Sequence, residues 1–338
     1  MPVRSVASSL HADEQHPSAK SHGPTLSHEP LRIGLVNNMP PAAFNATENQ
    51  FRFLLNAASE DIPIDLSLYV LRGTPMATSA RYHAASHYAV FDELWSGSLD
   101  GLIVTGTEPA TADLTDEPYW QSFTELIEWS RDNTLSTVWS CLAAHAAVLH
   151  TNGIERLRAP SKHFGIFSCD RVTDHWLLQG LDSRLYLPHS RWNGITEQDL
   201  FEHGYEVLTR TRDAEVDTFV KQQNSLFVFF QGHPEYGTDT LLREYRRDIG
   251  RYLGNTVNAY PTLPQRYFDS ATEQAFLDLQ GRAPSLQRDQ LLDEIATIMK
   301  TISVENTWRS TAVLTYRNWL SYLCSCKEAT EPARRRAI

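Results

Sequence analysis

Cysteine is scarce in this chain: 338 residues contain four, Cys141, Cys169, Cys324 and Cys326. So few, so scattered, exclude a disulfide-stapled framework. Long apolar runs are missing too. No stretch approaches the roughly 18–20 residues that span a bilayer, and the opening MPVRSVASSLHADEQHPSAK has no apolar segment of secretory type. Positive charge is in deficit, with 30 Lys and Arg against 41 Asp and Glu and a net charge of −11. That balance disfavours nucleic acid and anionic membrane surfaces as partners, because both reward a basic face. No internal repeat is visible. What remains is a chain with 41% hydrophobic residues, long enough to bury a sizeable core, and expected in the cytoplasm.

Residues 1–30 are rich in Ser, His, Pro and charge and are expected to form a disordered tail. Order is expected from Leu31. LRIGLVNNMP is an apolar run closed by Asn37, Asn38 and Pro40, a buried strand and a loop. TENQFRFLLNAAS follows, with Thr47 and Gln50 spaced as a capping box and an apolar face of Phe51, Leu54 and Leu55. IDLSLYVL (64–71), GLIVTGTEP (101–109) and STVWSC (136–141) read as further strands. YWQSFTELIEWSRDN (119–133) and LAAHAAVLHTNG (142–153) read as helices, the second closed by Gly153. LYLPHSRW (185–192), VDTFVK (216–221) and LFVFFQGHPEY (226–236) supply later strand signals, and a helix is expected from Thr238 to about Leu253. The alternation predicts an α/β domain over 31–255, its mostly parallel sheet covered by helices on both faces. Residues 255–268, with two prolines, look like a linker. Beyond it, Leu291, Leu292, Ile295, Ile298, Met299 and Ile302 recur at helical spacing, and Trp308, Tyr316, Trp319, Leu320 and Leu323 suggest a second helix. Residues 256–338 are therefore expected to be a helical extension packed on the core or on another subunit.

Chemistry concentrates where strands end. Cys141 closes one strand and opens a helix, at the edge of a parallel sheet where ligands bind. A helix N-terminus lowers a thiol's pKa, and Ala143 and Ala144 permit a tight strand-to-helix elbow. Alone, such a cysteine reads first as a small packed hydrophobe. The GHPEY loop (232–236) lies past another strand end and supplies a base, His233, and an orienting acid, Glu235. Cys324 and Cys326 form an isolated C-x-C without further ligands, and no metal site is expected.

These residues, with NNMP (37–40), TENQF (47–51), GLIVTG (101–106), EPYW (117–120), PHSR (188–191), GHPEY and EYRRD (244–248) in order over about 31–253, make the chain resemble the homoserine O-succinyltransferase family. The resemblance implies a class I glutamine-amidotransferase-like, flavodoxin-like fold and transfer of an acyl group from an acyl-CoA to the hydroxyl of L-homoserine, an activation step toward methionine. It implies Cys141 as acyl-thioester nucleophile, His233 as base and Glu235 as its partner. Lys162 in SKHFGIF, Ser190 in PHSR and Arg247 in EYRRD match substrate-contacting positions. Arg247 suits a bidentate grip on a carboxylate and Lys162 a point charge. Without the family, Lys162 and Arg247 read as surface ion pairs and Ser190 as a turn hydroxyl. An ungapped count from Gly106 to Trp120 puts Ala110 where a small residue goes with succinyl and a glutamate with acetyl. Succinyl-CoA is thus the expected donor and acetyl-CoA the alternative, although Glu108 and Asp113 lie nearby. No cofactor beyond the acyl-CoA co-substrate is implied. A homodimer is what the family suggests. The oxyanion is expected between the Leu142 N–H and an N–H of the Asn37–Met39 loop.

The chain departs from the family at Leu142, usually aromatic, at His145, usually Gln, and in TGTEPATAD, usually a TGAP form. These changes leave serine or a related hydroxy-amino acid as second acceptor, and His145 reads as helix packing. Two rivals stand beside this reading. A glutamine amidotransferase would favour glycine where Trp139 and Ala143 stand. A catalytically silent binding protein would not need the reactive set.

Overall fold

Parallel pairing organises the main sheet of the computed structural model, which describes residues 3–5, 29–76, 78–212 and 215–335. Its strands are β1 (Val3–Ser5), β2 (Leu31–Val36), β3 (Ile64–Tyr69), β4 (Gly101–Thr105) and β5 (Ser136–Ser140), then β8 (Glu206–Val207), β10 (Thr218–Gln222) and β11 (Leu226–Phe230). Among the described residues their order is β1-β3-β2-β4-β5-β11-β10-β8. Every pairing from β1 through β11 is parallel, and the two beyond β11 are antiparallel. The central strands β4, β5 and β11 are buried along their whole length, as expected of strands covered on both faces.

The covering helices form two apolar layers. On one face lie α1 (Phe44–Ala58) and the C-terminal α10 (Arg309–Arg335), joined in one cluster with β2, β3 and β11. On the other lie α3 (Phe91–Ser96), α4 (Trp120–Asn133), α5 (Leu142–Asn152) and α6 (Glu197–Glu202). Helix α2 (Thr78–His87) was not foreseen from the sequence, and neither was α3. Helix α1 starts earlier than the capping-box pattern predicts. Its N-cap is Ala43 without a side-chain cap bond, Thr47 is buried inside the helix, and Gln50 bonds Thr240 Oγ1 at 2.7 Å. Tertiary packing of Phe44 has extended the helix past its local start signal.

The PHSR segment does not join the main sheet. It lies on β7 (Arg184–Gly194), which pairs antiparallel with β6 (Leu157–Arg171), and β9 (Thr209–Thr211) completes this second sheet. A register shift between Arg158 and His163 bulges β6, a device that re-aims side chains. A further expectation is corrected. Val3–Ser5, assigned to a disordered tail, adds to the open edge of β3, whose unpaired backbone groups accept another strand. Residues 6–28 lie outside the described residues. Residues 256–338 pack on the core, one of the two placements expected of them. Gln265 of the presumed linker exchanges backbone bonds with Phe164 and Ile166 at 2.9 Å, and Gly165, at φ 136°, leaves no room there for a side chain. Helices α8 (Ser270–Arg282) and α9 (Arg288–Met299) pack with α7 (Thr240–Leu253) and Trp308 in a third cluster. From α10, Ala312, Tyr316, Trp319, Leu320 and Leu323 enter the core of the main sheet. The physical reason is that the α1-side face of the sheet would otherwise be bare. Among the described residues no helix is long and apolar enough to cross a membrane.

Candidate active site

Neighbouring strands β5 and β11 end side by side, with Ser140 opposite Phe230. The chain turns sharply at each end. Cys141 is the N-cap of α5, at φ 54° and ψ −112°, and its N–H donates to Phe230 O at 2.7 Å. A non-glycine residue at positive φ is strained, and such strain collects at functional sites. Here the elbow lifts the thiol to the first turn of a helix, partly exposed, where unpaired N–H groups favour an anion.

From the other strand end, the His233 N–H donates to Pro188 O at 2.8 Å, fixing the loop against β7. His233 Nδ1 lies 2.8 Å from Glu235 Oε1. The carboxylate fixes Nδ1–H, which leaves Nε2 for the Cys141 thiol that lines the same cavity. Burial works against the charged imidazole, but the Cys141 thiolate and the Glu235 carboxylate outweigh it and hold the pKa of His233 well above its ordinary value. The pairing thus keeps His233 ready to hold a proton beside the thiol. Behind it, Ser140 Oγ donates to Glu235 Oε1 at 3.5 Å. Trp308 Nε1 donates to Tyr236 O at 2.9 Å, so the C-terminal segment props the loop that carries the base.

A second buried group holds the same loop from below. His189 Nε2 lies 3.1 Å from Asp217 Oδ1, and Gly232 N donates to that oxygen at 3.2 Å. Arg191 Nε donates to His189 Nδ1 at 3.2 Å, while Thr209 and Thr218 hydroxyls fill Asp217 Oδ2. Cys169 joins His189 and Asp217 within 4.8 Å. With the Arg191 guanidinium against the histidine and the carboxylate already hydrogen-bonded on both oxygens, this cluster is a positioning network rather than a cation cradle.

The thiol opens into a cavity of about 1040 Å³, at the upper end of the sizes typical for small-molecule sites. The structure brings Lys162, Ser190 and Arg247 together on one wall of it, as the sequence suggested. Lys162 Nζ lies 3.1 Å from Asp248 Oδ2 and 3.9 Å over the Phe164 ring. Ser190 Oγ donates to Glu244, and Arg247 Nε donates to Asp248 Oδ1 at 2.9 Å. Glu244 and Asp248 were missed as site residues. Their signal was present, since 244, 247 and 248 fall on one face of a strongly amphipathic helix. Ala110, by contrast, is exposed and does not line the cavity, whereas Pro109, Thr111 and Ala112 do. Glu117 accepts from the Thr111 N–H and hydroxyl, both at 2.8 Å, and sets which residues of that loop face inward. An ungapped count could not see this turn.

The expected second oxyanion donor is also corrected. Asn37 N donates to Tyr69 O of β3, Asn38 N to Thr105 Oγ1 of β4 and Met39 N to Asn37 Oδ1, so all three N–H groups are already used within the protein. Gly106 lies against α5 instead. A Cβ there would fall 2.6 Å from Leu142 Cβ and 2.9 Å from Leu142 N. His145 also lines the cavity, yet burial pushes its pKa down to about 3. Gln231 Nε2 donates to Val216 O, so its Oε1 accepts from His145 Nε2 at 2.8 Å, and the ring is a neutral structural donor.

Glu235→Gln tests the triad. With the carboxylate's charge gone, the pKa of His233 moves down. The imidazolium then loses its proton at lower pH and supports the thiolate less well. Turnover is expected to fall about 10²–10⁴-fold, the usual worth of a positioned acid–base pair. NMR titration of the His233 ring should show the downward shift. An unmoved titration would remove Glu235 from the site.

The pattern of the family described as Homoserine O-succinyltransferase matches residues 7–330. The chain is 44% identical over 294 residues to "Homoserine O-succinyltransferase" of Bradyrhizobium japonicum, covering 87% of this chain and 90% of that one. A relative of the same name from Rhodopseudomonas palustris is also 44% identical, over 87% and 89% of the two chains. Among solved structures, a glutamine amido transferase from Methylobacillus Flagellatus aligns with a TM-score of 0.47 at 18% identity, covering 88% of this chain and 96% of that one.

Proposed function

We propose the reaction of this site from one premise: the chain belongs to the homoserine O-succinyltransferase family. It is an O-acyltransferase of that type. The reaction we assign is transfer of succinyl from succinyl-CoA to the hydroxyl of L-homoserine, which activates that hydroxyl for methionine synthesis. The observation that carries this reading is that Cys141 and His233, the latter held by Glu235 at 2.8 Å, line one cavity large enough for a long donor.

The thiolate attacks the thioester carbonyl. The developing oxyanion meets the Leu142 N–H, which has no partner inside α5, and the Gly106 N–H beside it. The tetrahedral intermediate collapses, the bond to the CoA sulfur breaks, and His233 gives its proton to that sulfur. Acylation then changes the base. Cys141 no longer carries charge, so the largest influence raising the His233 pKa is gone. Neutral His233 is now able to take the proton of the acceptor hydroxyl as the oxygen attacks the acyl thioester. Collapse restores thiolate and imidazolium together. On the cavity wall, Arg247 and Lys162 suit the acceptor's carboxylate, and Glu244 and Asp248 its ammonium.

Two measurements test this. A matrix of succinyl-CoA and acetyl-CoA against homoserine and serine, followed by CoA release, is expected to favour succinyl-CoA with homoserine. Faster release with acetyl-CoA or serine overturns the donor or acceptor assignment, and glutaminase activity in place of CoA release overturns acyl transfer. Separately, Gly106→Ala keeps the N–H, but its Cβ would meet Leu142 Cβ at 2.6 Å and push the two donors out of line, so kcat is expected to fall about 10²–10³-fold with a smaller change in KM, the pattern of a misplaced oxyanion donor. An unchanged kcat would return the second donor to another N–H.

A further inference from the structure

Six basic side chains line the cavity: Arg156, Arg158, Lys162, Arg191, Arg247 and Arg251. Four are already ion-paired. Lys162 and Arg247 meet Asp248, Arg251 meets Glu108 and Arg191 meets Glu215. Arg156 and Arg158 differ. Among the described residues, the hydrogen-bond acceptor recorded for Arg156 is a backbone carbonyl, Ala112 O at 3.2 Å from Nη2. Glu117 is turned onto Thr111 and Asp113 onto Thr115 instead. Arg158 lies flat over the Trp192 ring at 4.7 Å.

Position separates these two. Arg156 stands between α5, the helix that Cys141 opens, and the first residue of β6. It is partly buried, with one edge against the cavity loop at Ala112. Burial pushes its pKa below the ordinary guanidinium value. Arg156 and Cys141 line the same cavity. A cation that shares the cavity with the thiol and has no ion pair is placed for the part of a donor that stays behind on sulfur, not for the CoA that leaves. A partly buried guanidinium without a carboxylate also invites one, because its fork matches two carboxylate oxygens.

We propose that Arg156 is a specificity-determining residue that receives the distal carboxylate of the acyl group carried by Cys141, selecting dicarboxylic over monocarboxylic acyl donors. This rests on the acyl-transfer reading above and assigns the acyl end of the same cavity. Arg156 keeps its bond to Ala112 O and offers its remaining N–H groups to the carboxylate. The acceptor's own carboxylate goes to the Arg247 wall.

Acyl-enzyme formation with succinyl-CoA and with butyryl-CoA tests this, since the two donors share CoA and chain length and differ in the terminal carboxylate. Rates are followed by intact-protein mass spectrometry for the wild-type protein, Arg156→Met and Arg156→Lys. The wild type is expected to prefer succinyl. Arg156→Met is expected to lower the succinyl-to-butyryl rate ratio about 10- to 100-fold, the worth of a charge-assisted hydrogen bond lost. Arg156→Lys should recover part of the ratio by retaining the charge. If Arg156 only holds the loop at Ala112, or only binds CoA phosphates, both donors slow together and the ratio stays put, which overturns the proposal. A wild type without preference overturns it too. A wild type that forms no acyl-enzyme with either donor overturns the acyl-transfer reading itself and this assignment with it.

Discussion

Cys141→Ala is expected to abolish acyl-enzyme formation and to lower turnover by about four to six orders of magnitude. The size of the effect follows from the site. No other thiol lines the cavity, and His145, the nearest alternative nucleophile by position, is held neutral and donates its Nε2–H to Gln231. The substitution should not harm folding, because Cys141 is only partly buried and its backbone strain at φ 54° is reduced little by alanine. Incubation with succinyl-CoA in the absence of acceptor should add one succinyl group to the wild-type protein and none to the variant. An adduct on the same peptide of the alanine variant would falsify the assignment. The variant carries a second signature. Without the thiolate, His233 loses the strongest influence raising its pKa, so its imidazolium should deprotonate at lower pH than in the wild type. NMR titration of the ring in both proteins reads this directly, and a shift upward would mean that the thiol is neutral at rest.

The second large effect is on stability. Trp319→Ala, far along the chain from every reactive group, is expected to cost about 3–5 kcal/mol, the usual range for a buried tryptophan. Trp319 is 1% exposed, and its Nε1 donates to Ser136 Oγ at 2.9 Å, on the strand that ends at Cys141. The indole presses on the backbone of β4, where a Cβ at Gly101 would fall 2.9 Å from Trp319 Cη2. Neither β4 nor β5 can move to fill the void, since each is paired on both sides. Chemical denaturation should show the loss as a lower midpoint with an unchanged slope. A chain cut after residue 255 is expected not to fold, because the face of the sheet covered by α10 would open to water. A stable, active truncated chain would restore the view of 256–338 as an appendage.

Much of the site was legible because strand ends have local signatures. STVWSC and LFVFFQGHPEY are apolar runs that stop at a cysteine and at a Gly-His-Pro turn, and both proved to be central strands ending side by side. Gly153 closes α5 at φ 68°, as its position after the helix suggested. Other features had no local signature. Lys162 and Ser190 stand on strands of a separate antiparallel sheet, and a bulge in β6 places them over the cavity. The inward face of the 106–115 loop depends on Glu117, a contact that an alignment count cannot register. Helix α1 begins before its capping signal because Phe44 has a core to enter.

The sequence by itself determined the alternation of strands and helices, the candidates proposed as nucleophile, base and acid, and the family, because each rests on residue type and ordered motifs. The scarcity of cysteine turned out to single out one thiol. Only the tertiary structure decided which N–H groups are left for an oxyanion, which cations remain without an acid, and that the C-terminal helix belongs to the core. Those properties depend on what each group meets across long chain separations, where hydrogen bonds and ion pairs are satisfied or left open by packing. Arg156 is the clearest case. In the sequence it is one basic residue among 30, and in the fold it faces the cavity of Cys141 with a backbone carbonyl, not an acid, at its guanidinium.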